Sequence, residues 1–272
     1  MFNFLFRKEL SNDQEFESLK AYFPDSTYEF RSQIPENSIT IGRYSVLPFY
    51  KELEEELKLK NSKLINSYEQ HLWIANMFDW AGQNGELYGF TPTAYSNVFE
   101  IKEEGSFVVK GATNSRKHQW NTCMFAEKKA DIGRVISNLM NDSLIADQKI
   151  AIRPYVPLET ICVGINGLPI TNEWRTFWFV KDGKPYLVGK GFYWASFEEL
   201  QNEANFDTEG EKFAHFIAQK VSKFANFFVL DLAKTKSGNW ILIEINDAQM
   251  SGLSLVSHED LYKNICEVIN LR

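Results

Sequence analysis

"FFVLDLAKTKSGNWILIEIND", residues 227–247, carries two apolar runs on either side of a turn signal, "KSGN". That pattern predicts a β-hairpin. Asp231 interrupts the first run, and the second ends in Glu244, Asn246 and Asp247. Side chains at i and i+2 of a strand project to the same face. Glu244 and Asn246 therefore stand side by side where the strand leaves the core, with Asp231 roughly opposite and Asp247 beginning the loop. An all-oxygen set of this kind suits Mg²⁺, whereas zinc calls for His or Cys. The structural alternative is that Asp231 caps a turn and Glu244 makes a surface ion pair.

Working outward, "GSFVVKGATNSRK" (105–117) is an apolar strand ending in Lys110, followed by a loop with Gly111, Thr113, Asn114 and Ser115. A lysine there can hold phosphate as a point charge while loop N–H groups complete the cradle. Its spacing is not that of a P-loop, and such a lysine can equally snorkel. In "KIAIRPYVPLETICVGING" (149–167), Pro154 forces an extended backbone at Arg153, and Pro157 stiffens the crossover to the next strand. The segment Arg153, Pro154, Tyr155, Val156 offers unpaired backbone groups to an adenine edge, with Glu159 placed for ribose hydroxyls; a rigid hinge is an equally natural reading. "NEWRTFWFV" (172–180) puts Glu173 and Arg175 on one strand face. A buried arginine needs a partner, and Glu173 or a ligand carboxylate would serve. Lys190, between glycines in "YLVGKGFYW", is a candidate contact to a terminal phosphate. His71 and His118 read as ordinary polar residues. Arg43 either receives an acceptor carboxylate or pairs with an acid of the Glu54–Glu56 run.

Composition bounds the rest. With 272 residues, 44% hydrophobic and 24% charged, the chain is an ordinary globular protein of one large or two modest domains. A net charge of −7 excludes a global basic field for nucleic acid, though Arg116, Lys117, Lys128 and Lys129 leave a local basic groove open. Three scattered cysteines form neither a disulfide framework nor a zinc site, which points to a reducing cytoplasm. No apolar run approaches the roughly 18 residues of a membrane helix. Residues 1–84 alternate strands with helices, including "NDQEFESLKAYF" and a helix from Ser67 through "SYEQHLWIANMFDWAGQ", and predict a small α/β domain. Residues 85–272 predict an α+β domain, with "NVFEIKEEGSFVVKGATN" as two strands, "AEKKADIGRVISNLMNDSLI" as a helix, hairpins at "NG" and "DG", and a last helix "SHEDLYKNICEVINLR" capped by Ser257.

The order of these features, a lysine-ended strand ("FVVK"), a hinge, then "FVLDLA" and "LIEIND", resembles the ATP-grasp superfamily over roughly residues 85–260. "IRPYVPLE" and "NEWRTFWFV" are similar to its phage-rich clade named for two arginines and a lysine, although typical members carry an acidic residue where Arg153 stands. The resemblance implies an ATP-grasp fold. Two α+β subdomains, about 85–152 and 153–272, would clasp the nucleotide, preceded by a small α/β pre-ATP-grasp domain. It implies ATP and Mg²⁺ (Mn²⁺ as an alternative) as cofactors. Lys110, Ser115, Arg153–Val156 and Glu159 would bind nucleotide; Asp231, Glu244 and Asn246 would hold metal; Arg175 and Lys190 would be catalytic. The implied activity is an ATP-dependent carboxylate–amine ligase working through an acyl phosphate on small-molecule or peptide acids and amines. Two competing expectations are a ligase or kinase acting on nucleic acid or nucleotide, and a nucleotide-binding module without catalysis.

Overall fold

A computed structural model describes every residue except Asn12, Leu144 and Arg272, each of which falls within an expected helical stretch. The opening alternation of apolar residues forms β1 (Phe2–Phe6). It lies between β2 (Thr27–Tyr28) and β3 (Ile39–Arg43), with β4 (Lys63–Leu64) beyond β3, and all pairs are parallel. Parallel strands are covered on both faces, and β1 shows how. Phe4 and Phe6 pack with Phe16 and Leu19 of α1 (Asp13–Tyr22). Leu5, on the opposite face, packs with Leu53 and Leu57 of α2 (Tyr50–Leu59).

The expected helix from Ser67 is two. In α3 (Tyr68–Ala75), Ser67 and Gln70 form a reciprocal capping box. Asn76 then breaks the helix with φ −87° and ψ 89° before α4 (Met77–Ala81). Asparagine gives up helical geometry readily because its amide competes for backbone partners. The next expectation also changes. Val98–Glu100 is a short 3₁₀ turn, so only one strand emerges there, β5 (Phe107–Gly111). It is the centre of an antiparallel sheet with β6 (Phe125–Ala126) and β7 (Ile150–Pro154). The amphipathic α5 (Ile132–Leu139) covers it through Ile132, Val135 and Leu139.

Beyond the hinge, β8 (Thr160–Val163) and β9 (Pro169–Thr171) pair as a small antiparallel ribbon. Its "NG" turn holds Asn166 and Gly167 at positive φ. The larger sheet runs β11-β10-β12-β13 with β10 (Glu173–Lys181), β11 (Lys184–Phe192), β12 (Phe227–Lys234) and β13 (Trp240–Asp247). The opening hairpin is its β12–β13 pair. Apart from Asp231 and the terminal Lys234, its strand β12 is apolar because both of its faces are buried. One faces α6 (Thr208–Val221) through Leu230, Leu232, Ala214 and Ile217. The other faces α7 (His258–Asn270) and the first sheet through Val229, Phe227, Leu261 and Phe4.

Candidate active site

The expected register of the hairpin holds, with one feature that alternation does not foresee. Asp231 stands opposite Glu244, yet Leu232 stands opposite Leu242, so Ile243 is an extra residue. A β-bulge re-aims neighbouring side chains, and here Ile243 and Glu244 both line the same cleft. The cleft lies between β13 and the sheet of β5 and β7. Lys110 closes it from the β5 side, its Nζ donating to Glu244 Oε1 at 2.6 Å. Burial pushes the Glu244 carboxyl up, but Lys110 outweighs that and leaves it below its ordinary range.

Apolar side chains including Val108, Met124, Leu168 and Ile241 form the slot's walls, and Pro154, Tyr155 and Val156 line it along the hinge. Ser115, Lys117 and Arg153 also line it. A mostly apolar cleft with a few convergent polar groups is the usual form of a ligand site. Where the slot meets Glu244, a second chamber opens, lined by Arg175, Asn246, His71 and the loop Ala112–Asn114. It encloses about 460 Å³.

Arg175 stands directly across from Asp231. Its Nε and Nη2 donate to Asp231 Oδ1 and Oδ2 at 2.8 Å each, and its Nη1 donates to the Gly252 carbonyl at 2.8 Å. Of the two partners expected, Glu173 or a ligand carboxylate, Glu173 is not the one, because residues two apart on one strand are separated along it while Asp231 is the cross-strand neighbour. Burial would weaken the hold of Arg175 on its proton, but Asp231 raises it above the ordinary range. Asp231 is fully buried, with both oxygens committed to Arg175, and Asn246 Nδ2 also donates to it at 3.2 Å. Among the described residues, Glu244 Oε2 and Asn246 Oδ1 carry no protein hydrogen bond. No three His, Cys, Asp or Glu side chains among those residues converge as a metal group. The donors left open are therefore one carboxylate oxygen of Glu244 and the amide oxygen of Asn246, with Asp231 behind them engaged by Arg175; oxygen throughout, they suit a hard cation such as Mg²⁺.

A family description, an ATP-grasp domain of family 3 in the clade named for two arginines and a lysine, matches residues 99–265, more than half of the chain. The chain belongs to the ATP-grasp family. It is an ATP-grasp ligase, and its cofactors are ATP and Mg²⁺. Solved structures similar to it include the D-cycloserine synthetase DcsG, with TM-score 0.61 at 12% identity over 99% of this chain and 100% of that one. A RimK domain ATP-grasp protein from Sphaerobacter thermophilus gives 0.56 at 10% identity, with 98% of each chain covered. The ATP-grasp ligase PsnB, complexed with minimal precursor, Mg and ADP, gives 0.55 at 11% identity over 98% of this chain and 96% of that one. At these identities the likeness is one of fold. No curated protein sequence matches the chain. Among its described residues, no helix is long and apolar enough to cross a membrane.

Within this ATP-grasp cleft, Lys110, Ser115, Arg153, Pro154, Tyr155, Val156 and Glu244 come together, with Arg175 and Asn246 in the adjoining chamber. Arg153 spends its guanidinium on the protein: Nε donates to Pro92 O, Nη1 to Ile243 O and Nη2 to Thr91 Oγ1, at 3.1, 2.8 and 2.6 Å. It ties the hinge to the bulge, and burial lowers it to about 10. Glu159 is exposed and outside the lining, its Oε2 accepting from Asn172 Nδ2 at 3.1 Å. Lys190 stands opposite Thr176, one residue out of step with Arg175, and so emerges on the α6 face. There its Nζ donates to Glu211 Oε1 at 2.5 Å, away from the cleft.

Asp247 turns to Asn66 and Gln249, whose nitrogens donate to it at 3.0 Å each. Arg43 meets neither a chamber nor the Glu54–Glu56 run. It is fully buried, donating to Glu15 Oε1 at 2.7 Å and to the Ala248 and Ser251 carbonyls. The residue not singled out for the site is Lys117. Its Nζ lines the slot 2.8 Å from Tyr193 OH and 3.9 Å from Glu173 Oε1. Burial would lower its pKa, but Glu173 and Tyr193 raise it above the ordinary range. Its signal was its place at the end of the small-residue loop "GATNSRK". Arg116 pairs with Asp142, and Lys129 donates to Ile101 O, so these two do not form a free basic groove.

Proposed function

We propose that this ATP-grasp ligase joins a carboxylate to an amine through an acyl phosphate, in the cytoplasm, with a pre-ATP-grasp domain at 1–84 and subdomains near 85–152 and 153–272. The observation that carries the reading is the Lys110–Glu244 contact at the seam between an apolar slot and a polar chamber. The base lies in the slot against Pro154–Val156. The phosphates run to the seam, where Lys110, Lys117 and Ser115 bind them. Glu244 and Asn246, with Asp231 behind them, would hold Mg²⁺, which would supply charge neutralisation for the phosphate oxygens. Arg175 leaves part of its hold on Asp231 for a phosphoryl or carboxylate oxygen, and its fork geometry suits either.

A carboxylate oxygen attacks the γ-phosphorus, the bond to the β-phosphate oxygen breaks, and ADP leaves with that electron pair. An amine then attacks the acyl carbon and phosphate departs. Positioning and electrostatics supply the catalysis, so no nucleophilic side chain is required. The engagement of Arg116 and Lys129 by protein partners weighs against a nucleic-acid substrate. ADP release from MgATP, screened over amino acids and short peptides as acid and amine, tests the reading. Dependence on both an acid and an amine is the expected result; dependence on an RNA or DNA end, or nucleotide binding with no turnover, would overturn it. Glu244→Gln should lower ADP release by about 10²–10³, the order seen when a charge-stabilising group is removed, with circular dichroism unchanged. Undiminished ADP release would refute the metal role.

A further inference from the structure

The loop that follows Lys110 is tied down across the slot at two neighbouring residues. Lys117 Nζ donates to Tyr193 OH at 2.8 Å and stands 4.0 Å from the centre of the same ring. His118 O accepts from Asn166 Nδ2 at 2.7 Å. Asn166 belongs to the "NG" turn of the β8–β9 ribbon, where its φ is 52°. Tyr193 is in turn placed by the larger sheet. It follows β11 directly, and its N donates to Glu173 O at 3.0 Å. Its ring also lies 5.0 Å from the guanidinium carbon of Arg175. Tyr193 thus touches the lysine of the loop and the arginine of β10 at once.

The chemistry of that contact suits a cation that must stay available. Burial pushes the Tyr193 hydroxyl up against the pull of Lys117, so it remains a neutral phenol. A phenol oxygen accepts from an ammonium, and the face of the ring attracts it, without neutralising its charge. The carboxylate paired with Lys117, Glu173, stays 3.9 Å away. A lysine stem is flexible and its head strongly hydrated, so holding it in advance spares part of the ordering cost of binding.

We infer that Tyr193 is a positioning residue for Lys117: its hydroxyl and ring hold the ammonium in the slot, where it meets the nucleotide phosphates. The inference rests on the reading that Lys117 binds phosphate. It makes the end of β11 part of nucleotide recognition through a side chain of another sheet's loop.

Calorimetric titration of the full chain with the non-hydrolysable ATP analogue AMPPNP and Mg²⁺, and separately with AMP, tests this without turnover. Tyr193→Phe keeps the ring and removes the hydroxyl. It should weaken MgAMPPNP binding about tenfold, the order of one charged hydrogen bond, and AMP binding by less than about twofold. In a Lys117→Met background, which should itself weaken MgAMPPNP selectively, Tyr193→Phe should cost less than about twofold more, because its effect runs through the lysine. Equal losses toward both nucleotides would mark damage to the slot and overturn the inference. So would no loss in Tyr193→Phe, a full further loss in Lys117→Met, or a Lys117→Met protein that binds MgAMPPNP as the parent does. A protein that shows the coupling yet releases no ADP with any acid and amine refutes the ligase reading and not the role of Tyr193.

Discussion

Replacing Glu173 with glutamine should stabilise the protein at alkaline pH. Glu173 is 3% exposed and lines the apolar slot. Its Oε1 has no hydrogen-bond partner, and Lys117 Nζ remains 3.9 Å away. Burial pushes its carboxyl from 4.5 up to about 7; Lys117 pulls the other way, and Asp231 adds to the rise. The folded pKa lies above the unfolded one, so the native state prefers the proton. The cost of ionising Glu173 is therefore absent well below pH 4.5, grows between 4.5 and 7, and is complete above 7. Each pKa unit is worth about 1.36 kcal/mol, so the full cost is about 3 kcal/mol. Urea unfolding without nucleotide should find Glu173→Gln more stable than the parent by about 3 kcal/mol at pH 8, and by less than about 1 kcal/mol at pH 5. No gain at pH 8, or an equal gain at both pH values, would refute the reasoning.

Arg175→Lys keeps the charge but cannot reproduce the fork onto Asp231 and Gly252. It should cost about 1–3 kcal/mol in urea unfolding, the loss of a buried charged hydrogen bond, and reduce ADP release at least about tenfold. Lys190→Ala removes a pair whose side chains are 43% and 45% exposed. Its unfolding free energy should stay within about 0.5 kcal/mol and its ADP release should be unchanged, whereas a large loss of turnover would restore Lys190 to the site. At Gly191, opposite Arg175, an added Cβ would come within 2.4 Å of the Leu255 backbone. Gly191→Ala should therefore destabilise by about 1–3 kcal/mol, as overpacking does, read by thermal unfolding.

What could be read in advance followed from local chemistry. Turn dipeptides located the hairpins, Ser67 and Ser257 capped their helices, and i, i+2 spacing placed Glu244 beside Asn246. What escaped depended on register and burial, which no short stretch contains. The bulge at Ile243 exists only relative to β12. Whether Lys190 shares a face with Arg175 depends on how β10 and β11 align, and that alignment itself shifts between Phe177 and Trp178. The partner of Arg175 is a cross-strand neighbour 56 positions away. "NVFEI" has the composition of a strand, yet no partner strand meets it among the described residues, so it closes as a 3₁₀ turn.

Arg43 shows why the first sheet matters to a site built mostly by the last one. From the end of β3 it binds the Ala248 and Ser251 carbonyls, while Gly42 N donates to Gln249 Oε1 at 2.9 Å and Tyr44 N to Gln249 O at 2.8 Å. The segment 248–252 is thus clamped by residues more than 200 positions earlier. Its next carbonyl, Gly252 O, receives Arg175 Nη1. A continuous chain of contacts therefore joins Glu15, Arg43, the loop and Arg175. Breaking such a chain at Arg43 leaves the buried Glu15 carboxylate without its counter-charge, though Tyr44 and Tyr262 still donate to it, a cost of about 3–5 kcal/mol, so the pairing of Glu15 with Arg43 is a condition for the placement of Arg175 and not an ornament of the first sheet. The same part of the chain supplies α3 and Leu47 to the chamber wall. Changes in substrate preference are accordingly expected from residues of α3 and the loop at Leu47, while changes in nucleotide affinity are expected from β5, β7 and β13.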